Sequence, residues 1–207
     1  MKIAVIGTGN MGAALARATA KVHGNLAIGA RDVTKAEALA RSIGPQVEFD
    51  HTGAVVKAAE MVVLAIPYEA ALEVIQSADF AGKIVMDVSN PITADFAGLV
   101  VGHTTSAAEQ LQARAPQAKV VKAFNTIFSA LLPAEAREGT KLQVFLAGTE
   151  IEAKNAVGHI VEAMGFEPID AGPLSNSRFL EPMGEMNIHF GFFLGWGTVA
   201  APVWQRV

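Results

Sequence analysis

The chain has 207 residues, of which 51% are hydrophobic and only 17% charged, with a formal net charge of −4. That length suits one well-packed domain plus an extension and is too short for two ordinary enzyme domains. So apolar a composition excludes disorder, and so mild a charge argues against a nucleic-acid-binding face. There is no cysteine, which excludes disulfides, thiol catalysis and cysteine-held iron–sulfur clusters.

Met1 leads into the apolar run Ile3–Ile6, which stops at glycine and is too short for a signal-peptide core, so a cytoplasmic location is expected. That run and those at 26–29, 61–66, 84–88 and 120–124 read as buried strands of a parallel sheet. Asn10–Val22, rich in alanine with leucine and methionine, reads as a helix. The segment 35–43 puts Ala36, Leu39, Ala40 and Ile43 on one helical face, and Gly44 follows as a stop. A later unit has a strand at 142–147 and a capping box of Thr149 and Glu152. Helical spacing then runs through Ala156, Val157, Ile160, Val161 and Met164 to Gly165, and a short strand follows at 166–170. The expected fold is α/β: a Rossmann-type, doubly wound, mostly parallel sheet. Residues 1–173 form its nucleotide-binding domain, and 174–207 form a C-terminal loop and helical extension packed on it as one unit.

The stretch 188–204 is apolar and carries Phe190, Phe192, Phe193, Trp196 and Trp204, but also His189 and three glycines. A membrane span needs about 20 apolar residues, so a buried terminal helix or a subunit interface is expected instead. A homodimer through this segment is the candidate partner; no membrane and no nucleic acid are expected.

Gly7-Thr8-Gly9-Asn10-Met11-Gly12 matches G-x-G-x-x-G between an N-terminal strand and a helix. Gly7 permits the tight turn, Gly9 admits a pyrophosphate to the backbone, and Gly12 lets helix and strand pack closely. Gly7, Thr8, Gly9, Asn10 and Met11 are therefore expected to bind a dinucleotide at a helix N-terminus. The second strand ends in Gly29-Ala30-Arg31-Asp32. With the strand ending at Ala30, Arg31 falls where a 2′-phosphate would lie and Lys35 falls on the same side, which favours NADP(H). The alternative makes Asp32 the ribose ligand of an NAD site.

Two further strand ends complete a cleft. Ala65-Ile66-Pro67-Tyr68 and Val88-Ser89-Asn90-Pro91 are expected to flank the ribose and nicotinamide through Ile66, Pro67, Asn90 and Pro91. Pro67 also suits a helix start, and Asn90-Pro91 a turn. Asn125 follows a buried strand, and a buried amide needs hydrogen-bond partners that a cofactor can provide. Ser106 and Glu109 form a capping box, so Ser106 begins a helix whose N-terminus is also an anion seat. His23, His51, His103, His159 and His189 show no metal-ligand spacing. No metal site and no catalytic base are assigned, although His103 and His189 are candidates to assist proton transfer.

Gly7-Thr8-Gly9-Asn10, Ala30-Arg31 with Lys35, and especially Asp170-Ala171-Gly172-Pro173-Leu174-Ser175-Asn176-Ser177-Arg178 resemble one known family. It is the NADP oxidoreductases dependent on the 8-hydroxy-5-deazaflavin coenzyme F420, and the resemblance runs from Met1 to about Trp196. It implies an oxidoreductase passing hydride between nicotinamide C4 and deazaflavin C5, the protein stacking the two rings. The second ring would rest against Phe124-Asn125-Thr126, the Thr105-Ser106 turn and the 174–177 loop. Val121-Lys122-Ala123-Phe124-Asn125-Thr126-Ile127 is also similar to the cytosolic reductase domain of six-transmembrane metalloreductases. Those proteins pair NADPH with flavin, so FMN or FAD joins the deazaflavin as a candidate co-substrate. Two alternatives remain open: an NADPH-dependent flavin or ferric reductase, and a non-catalytic NADP(H) sensor.

Overall fold

Short aliphatic runs with few polar atoms are stable only when covered on both faces, as in a parallel sheet layered between helices. In the computed structural model, which describes residues 1–205 and 207, they do this in repeated strand–helix units. The first half runs β1 (Ile3–Ile6), α1 (Asn10–Val22), β2 (Leu26–Ala30), α2 (Val33–Ile43), β3 (Glu48–His51), α3 (Thr52–Ala58), β4 (Met61–Leu64) and α4 (Tyr68–Ser77). There follow β5 (Ile84–Asp87), α5 (Ala107–Arg114), β6 (Lys119–Lys122), β7 (Gln143–Gly148), α6 (Ile151–Ala163), β8 (Glu167–Asp170) and α7 (Ser177–Ile188). The strands lie in the order β3-β2-β1-β4-β5-β6-β7-β8. Every neighbouring pair is parallel except β6 and β7, where Val121 opposes Gly148 and Lys122 opposes Ala147. The Rossmann-type, doubly wound expectation is therefore met.

Alternation along β1 divides the core. Ile3 and Val5 face one layer with Leu15, Leu39, Val157 and Val161 from α1, α2 and α6. Ala4 and Ile6 face the other with Val55, Ala71, Ile75 and Leu111 from α3, α4 and α5. No apolar run announces β3, because Glu48-Phe49-Asp50-His51 is a largely exposed edge.

Two expectations are corrected. The Thr149–Glu152 capping box does not form: β7 extends to Gly148, and Glu150 is the N-cap of α6 without a side-chain cap bond. Glu152 is thereby left one position too early in the helix to close the box. The 188–204 stretch is not a buried helix either. The inward stripe of α7, Ser177, Leu180, Glu181, Gly184 and Asn187, ends at Gly191 in a π-helical turn, His189–Phe193. Beyond it Phe192, Phe193, Leu194, Trp196 and Trp204 are all more than half exposed. Among the described residues no helix is long and apolar enough to cross a membrane.

Phe166, just after α6, is fully buried; its ring meets Phe124 edge-on at 5.5 Å, and the Arg137 guanidinium lies 3.9 Å from its centroid. Arg137 also donates to the carbonyls of Leu131, Leu132 and Met164. Phe166→Ala removes the centre of this knot and is expected to cost about 3–5 kcal/mol, measured as the shift in a urea unfolding curve.

Candidate functional site

At β1 the sheet changes direction of growth: β2 lies on one side and β4 on the other, so the connections from their carboxyl ends diverge and leave a crevice. The glycine turn occupies it. Gly7 has φ +115°, and a Cβ there would stand 2.3 Å from the Ala65 carbonyl oxygen. A Cβ on Gly12 would stand 2.2 Å from the Gly7 oxygen. Gly9 differs: nothing lies within 4 Å of its Cβ position. Gly7 and Gly12 therefore serve backbone packing, while Gly9 faces open space. Gly9 is also the N-cap of α1 and offers no side-chain cap, and the first turn of α1 holds no acidic residue, so its N–H groups and positive dipole end stay available to an anion.

Two recesses flank this turn. One, of about 270 Å³, is lined by Gly7, Thr8, Ala30, Arg31, Asp32, Lys35, Ile66 and Pro67 among others. The other, of about 390 Å³, is lined by Gly9, Asn10, Met11, Ile66, Pro67, Ser89, Asn90 and Asn125, with Phe128, Gly184, Asn187 and Phe192. Arg31 and Lys35 are exposed and lie together at the end of β2. Asp32 is the N-cap of α2, and its Oδ1 accepts from the Thr34 backbone N–H and hydroxyl. The Thr34 hydroxyl holds the Asp32 carboxyl below the usual carboxylate range.

Of the residues expected from the sequence, Gly7, Thr8, Gly9, Asn10, Met11, Arg31, Lys35, Ile66, Pro67, Asn90 and Asn125 all line one recess or the other. Pro91 lines neither; it is buried, and its carbonyl accepts from Val100 N–H at 2.7 Å. Pro67 is the N-cap of α4 and lines both recesses. The second wall is corrected. Ser106 caps α5 through Glu109 and is fully buried, as is Ser177, and neither the Thr105-Ser106 turn nor the 174–177 loop reaches the recess. The C-terminal helix α7 supplies that wall instead, through Gly184, Asn187 and Ile188. Asn125 already has protein partners: its Nδ2 donates to Asn90 Oδ1 at 2.9 Å and to Leu180 O at 2.7 Å. Its Oδ1, however, is buried without a partner among the described residues, as is Ser89 Oγ.

Behind this wall lies a feature that the sequence reading missed. Lys122 is completely buried, with Nζ 2.6 Å from Asp87 Oδ2, 2.8 Å from Glu181 Oε1 and 2.7 Å from Ser89 O. Burial opposes its charge, but the two carboxylates outweigh it and hold the ammonium above the ordinary lysine value. Burial likewise pushes the Glu181 carboxyl up. One available signal was Lys122 as the charged residue inside the apolar run 120–124. Lys122→Ala strands two buried carboxylates without a counter-charge and is expected to cost about 3–5 kcal/mol in equilibrium unfolding.

Nearer the surface, Arg178 of α7 makes paired hydrogen bonds of 2.8 and 2.6 Å to Glu109 of α5. Partial burial opposes the Glu109 charge, but Arg178 and the Ser106 hydroxyl outweigh it and lower its pKa. A lowered carboxylate pKa means that the folded chain binds fewer protons than the unfolded one. Its contribution to stability is complete above the ordinary value of 4.5 and is lost as pH falls through the lower folded value. Glu109→Gln should therefore flatten the acid limb of a melting-temperature-against-pH curve.

A parallel sheet whose crevice opens on a glycine turn is the architecture of the Rossmann-type dinucleotide-binding proteins, and this chain is one of them. Residues 2–91 match the family model described as NADP oxidoreductase, coenzyme F420-dependent. The F420-dependent NADP reductase of Methanothermobacter thermautotrophicus is 30% identical over 207 residues, covering 91% of this chain and 88% of that protein. Metalloreductase STEAP3 of Rattus norvegicus is 34% identical over 181 residues, covering 87% of this chain; the chain spans only 36% of that longer protein. Among solved structures, a putative F420-dependent NADP-reductase from Arthrobacter sp. FB24 superposes with a TM-score of 0.86 at 30% identity, covering 94% of this chain and 95% of that one. The chain belongs to the family of coenzyme F420-dependent NADP oxidoreductases.

Proposed function

We propose that this protein passes hydride between NADP(H) and a deazaflavin of the coenzyme F420 kind, both held in the crevice beside β1. The observation that carries the reading is that Ile66 and Pro67 line both recesses, so one extended dinucleotide can reach from the basic pair past β2 to the amide pair past β5 and β6. At the first end, Arg31 and Lys35 offer charge to a 2′-phosphate, Arg31 through a planar fork. Asp32, which an NAD site would turn to the ribose, is engaged in capping α2. This supports NADP(H) over NAD(H). Between the ends, the open face at Gly9 and the uncapped start of α1 suit a pyrophosphate.

At the second end, Ser89, Asn90 and Asn125 line the recess, and their polar groups suit the carboxamide of a nicotinamide. Ile127, Phe128 and Phe192 give that end an apolar shelf for flat rings. The coenzymes supply the redox chemistry when bound; the side chains of the protein orient them and exclude water. His103 lines neither recess, and His189 Nε2 is engaged with Phe96 O at 2.9 Å, so neither is given a part in proton transfer.

The deciding assay follows NADPH oxidation in parallel with coenzyme F420, FMN, FAD and a ferric chelate. Fast stopped-flow transfer to the deazaflavin alone supports the proposal. The similarity to STEAP3 over 181 residues favours a second reading, a flavin or ferric reductase, which preferential transfer to FMN, FAD or iron would bear out. Tight NADPH binding without transfer to any acceptor would indicate a sensor. Arg31→Ala is expected to weaken NADPH binding by about 1.5–3 kcal/mol and leave NADH binding nearly unchanged; equal losses for both cofactors would remove the 2′-phosphate assignment.

The exposed aromatic tail from Phe192 to Trp204 supports, as part of this reading, a homodimer through the aromatic segment 188–204. A monomeric mass by light scattering at micromolar concentration would count against it.

A further inference from the structure

We infer that Asp87, Lys122 and Glu181 are positioning residues for the nicotinamide end of the site: their buried ion triad sets the one arrangement of Ser89, Asn90, Asn125 and α7 that forms its wall. The inference rests on the proposed function only in taking that recess as the nicotinamide end. Each member stands three residues before a wall residue in the chain: Asp87 before Asn90, Lys122 before Asn125, and Glu181 before Gly184. They come from three elements, β5, β6 and α7, so one cluster fixes all three segments together.

Its contacts reach the wall directly. Asp87 Oδ1 accepts the Ser89 N–H at 2.9 Å while Lys122 Nζ donates to the Ser89 carbonyl at 2.7 Å, so the Ser89 backbone is gripped on both sides. Glu181 Oε2 accepts the Ala107 N–H at 3.0 Å and its Oε1 the Ala108 N–H at 3.3 Å, which fixes the register of α7 against the start of α5. That register brings Gly184 onto the amide pair. A Cβ there would meet both polar atoms of the Asn90 side chain at 2.6 Å and the Asn125 carbonyl oxygen at 2.7 Å. Asn90 Nδ2 in turn donates to Asn125 O at 2.7 Å. Between Lys122 and Asn125, the fully buried Phe124 is held at φ +58°, a left-handed conformation that a bulky residue keeps only where its surroundings over-determine it.

Stability alone does not account for the cluster. Burying three ionisable groups costs them their hydration, and well-packed apolar side chains often do as well or better. What apolar side chains cannot do is aim the Ser89 peptide and the Asn90–Asn125 pair.

The test compares wild type, the apolar variant D87L/K122M/E181L, and Glu181→Gln, with folding checked by circular dichroism. Each is titrated calorimetrically with NADPH and with 2′,5′-ADP, which carries the 2′-phosphate end alone, and assayed for transfer to coenzyme F420. The apolar variant should keep 2′,5′-ADP affinity within about twofold, bind NADPH about tenfold more weakly, and transfer hydride about a hundredfold more slowly, the scale of a misplacement of about 1 Å. Glu181→Gln should show the same split at about threefold in NADPH affinity, and it decides the matter if the apolar variant does not fold. Folded variants with unchanged NADPH affinity and rate, or with equal losses for both ligands, would overturn the inference. So would a wild type that binds 2′,5′-ADP as tightly as NADPH. A wild type inert toward F420 whose variants still show the binding split would instead refute the proposed acceptor and leave the triad's role standing.

Discussion

Three pieces of backbone meet above β1 with no room for a side chain between them: the Gly7 turn, the first turn of α1 at Gly12, and the strand end at Ala65. The Gly7 N–H donates to Gly29 O, and the Ala65 N–H donates to Ile6 O, so the end of β1 and its turn are stitched to β2 on one side and to the end of β4 on the other. The residues that line the two recesses are all placed relative to this point. Arg31 and Lys35 leave the sheet at the end of β2, Ile66 and Pro67 at the end of β4, and Asn90 just past β5, all at the same rim. A methyl group at Gly12 would push α1 away from the turn, and one at Gly7 would drive the turn off the Ala65 carbonyl at the end of β4.

A second constraint acts on the far side of the rim. The C-terminal helix is not merely packed on the sheet through Leu180 against Phe145 and Ala147. It also places a carboxylate into the buried space between β5 and β6 and the start of α5, and it ties its first turn to α5 through Arg178. The extension thereby supplies a wall of the recess that the glycine turn also lines. A two-strand crevice alone would leave that side open to solvent, where an exposed ring could not be held at a fixed distance.

Most of what sequence reasoning recovered was local physics. The apolar runs of β1, β2, β4 and β5 announce themselves because both their faces are covered, and the glycine turn because only glycine tolerates its contacts. The Ser106–Glu109 cap was legible for the same reason: its partners are three residues apart. What stayed hidden was non-local or unpatterned. Edge strand β3 has no buried face to leave an apolar trace. Asp87, Lys122 and Glu181 lie dozens of residues apart, and nothing in spacing says that they meet. The same holds for Arg137, whose three carbonyl partners come from two separate turns. The second wall was assigned to loops because an aromatic helix with a proline inside reads as tail rather than lining. The Thr149–Glu152 box failed by one residue of strand length, a boundary that propensity does not fix.

The chain has two tryptophans, Trp196 and Trp204, and both lie on the segment beyond α7, 61% and 72% exposed. The whole layered sheet is therefore dark when indole is excited, and all such light comes from the tail. Its colour reports how wet that tail is, and reduced nicotinamide, which absorbs where indole emits, would dim it by resonance energy transfer. The protein thus carries an intrinsic optical reporter on its exposed C-terminal segment, outside the core whose unfolding such fluorescence is usually taken to follow.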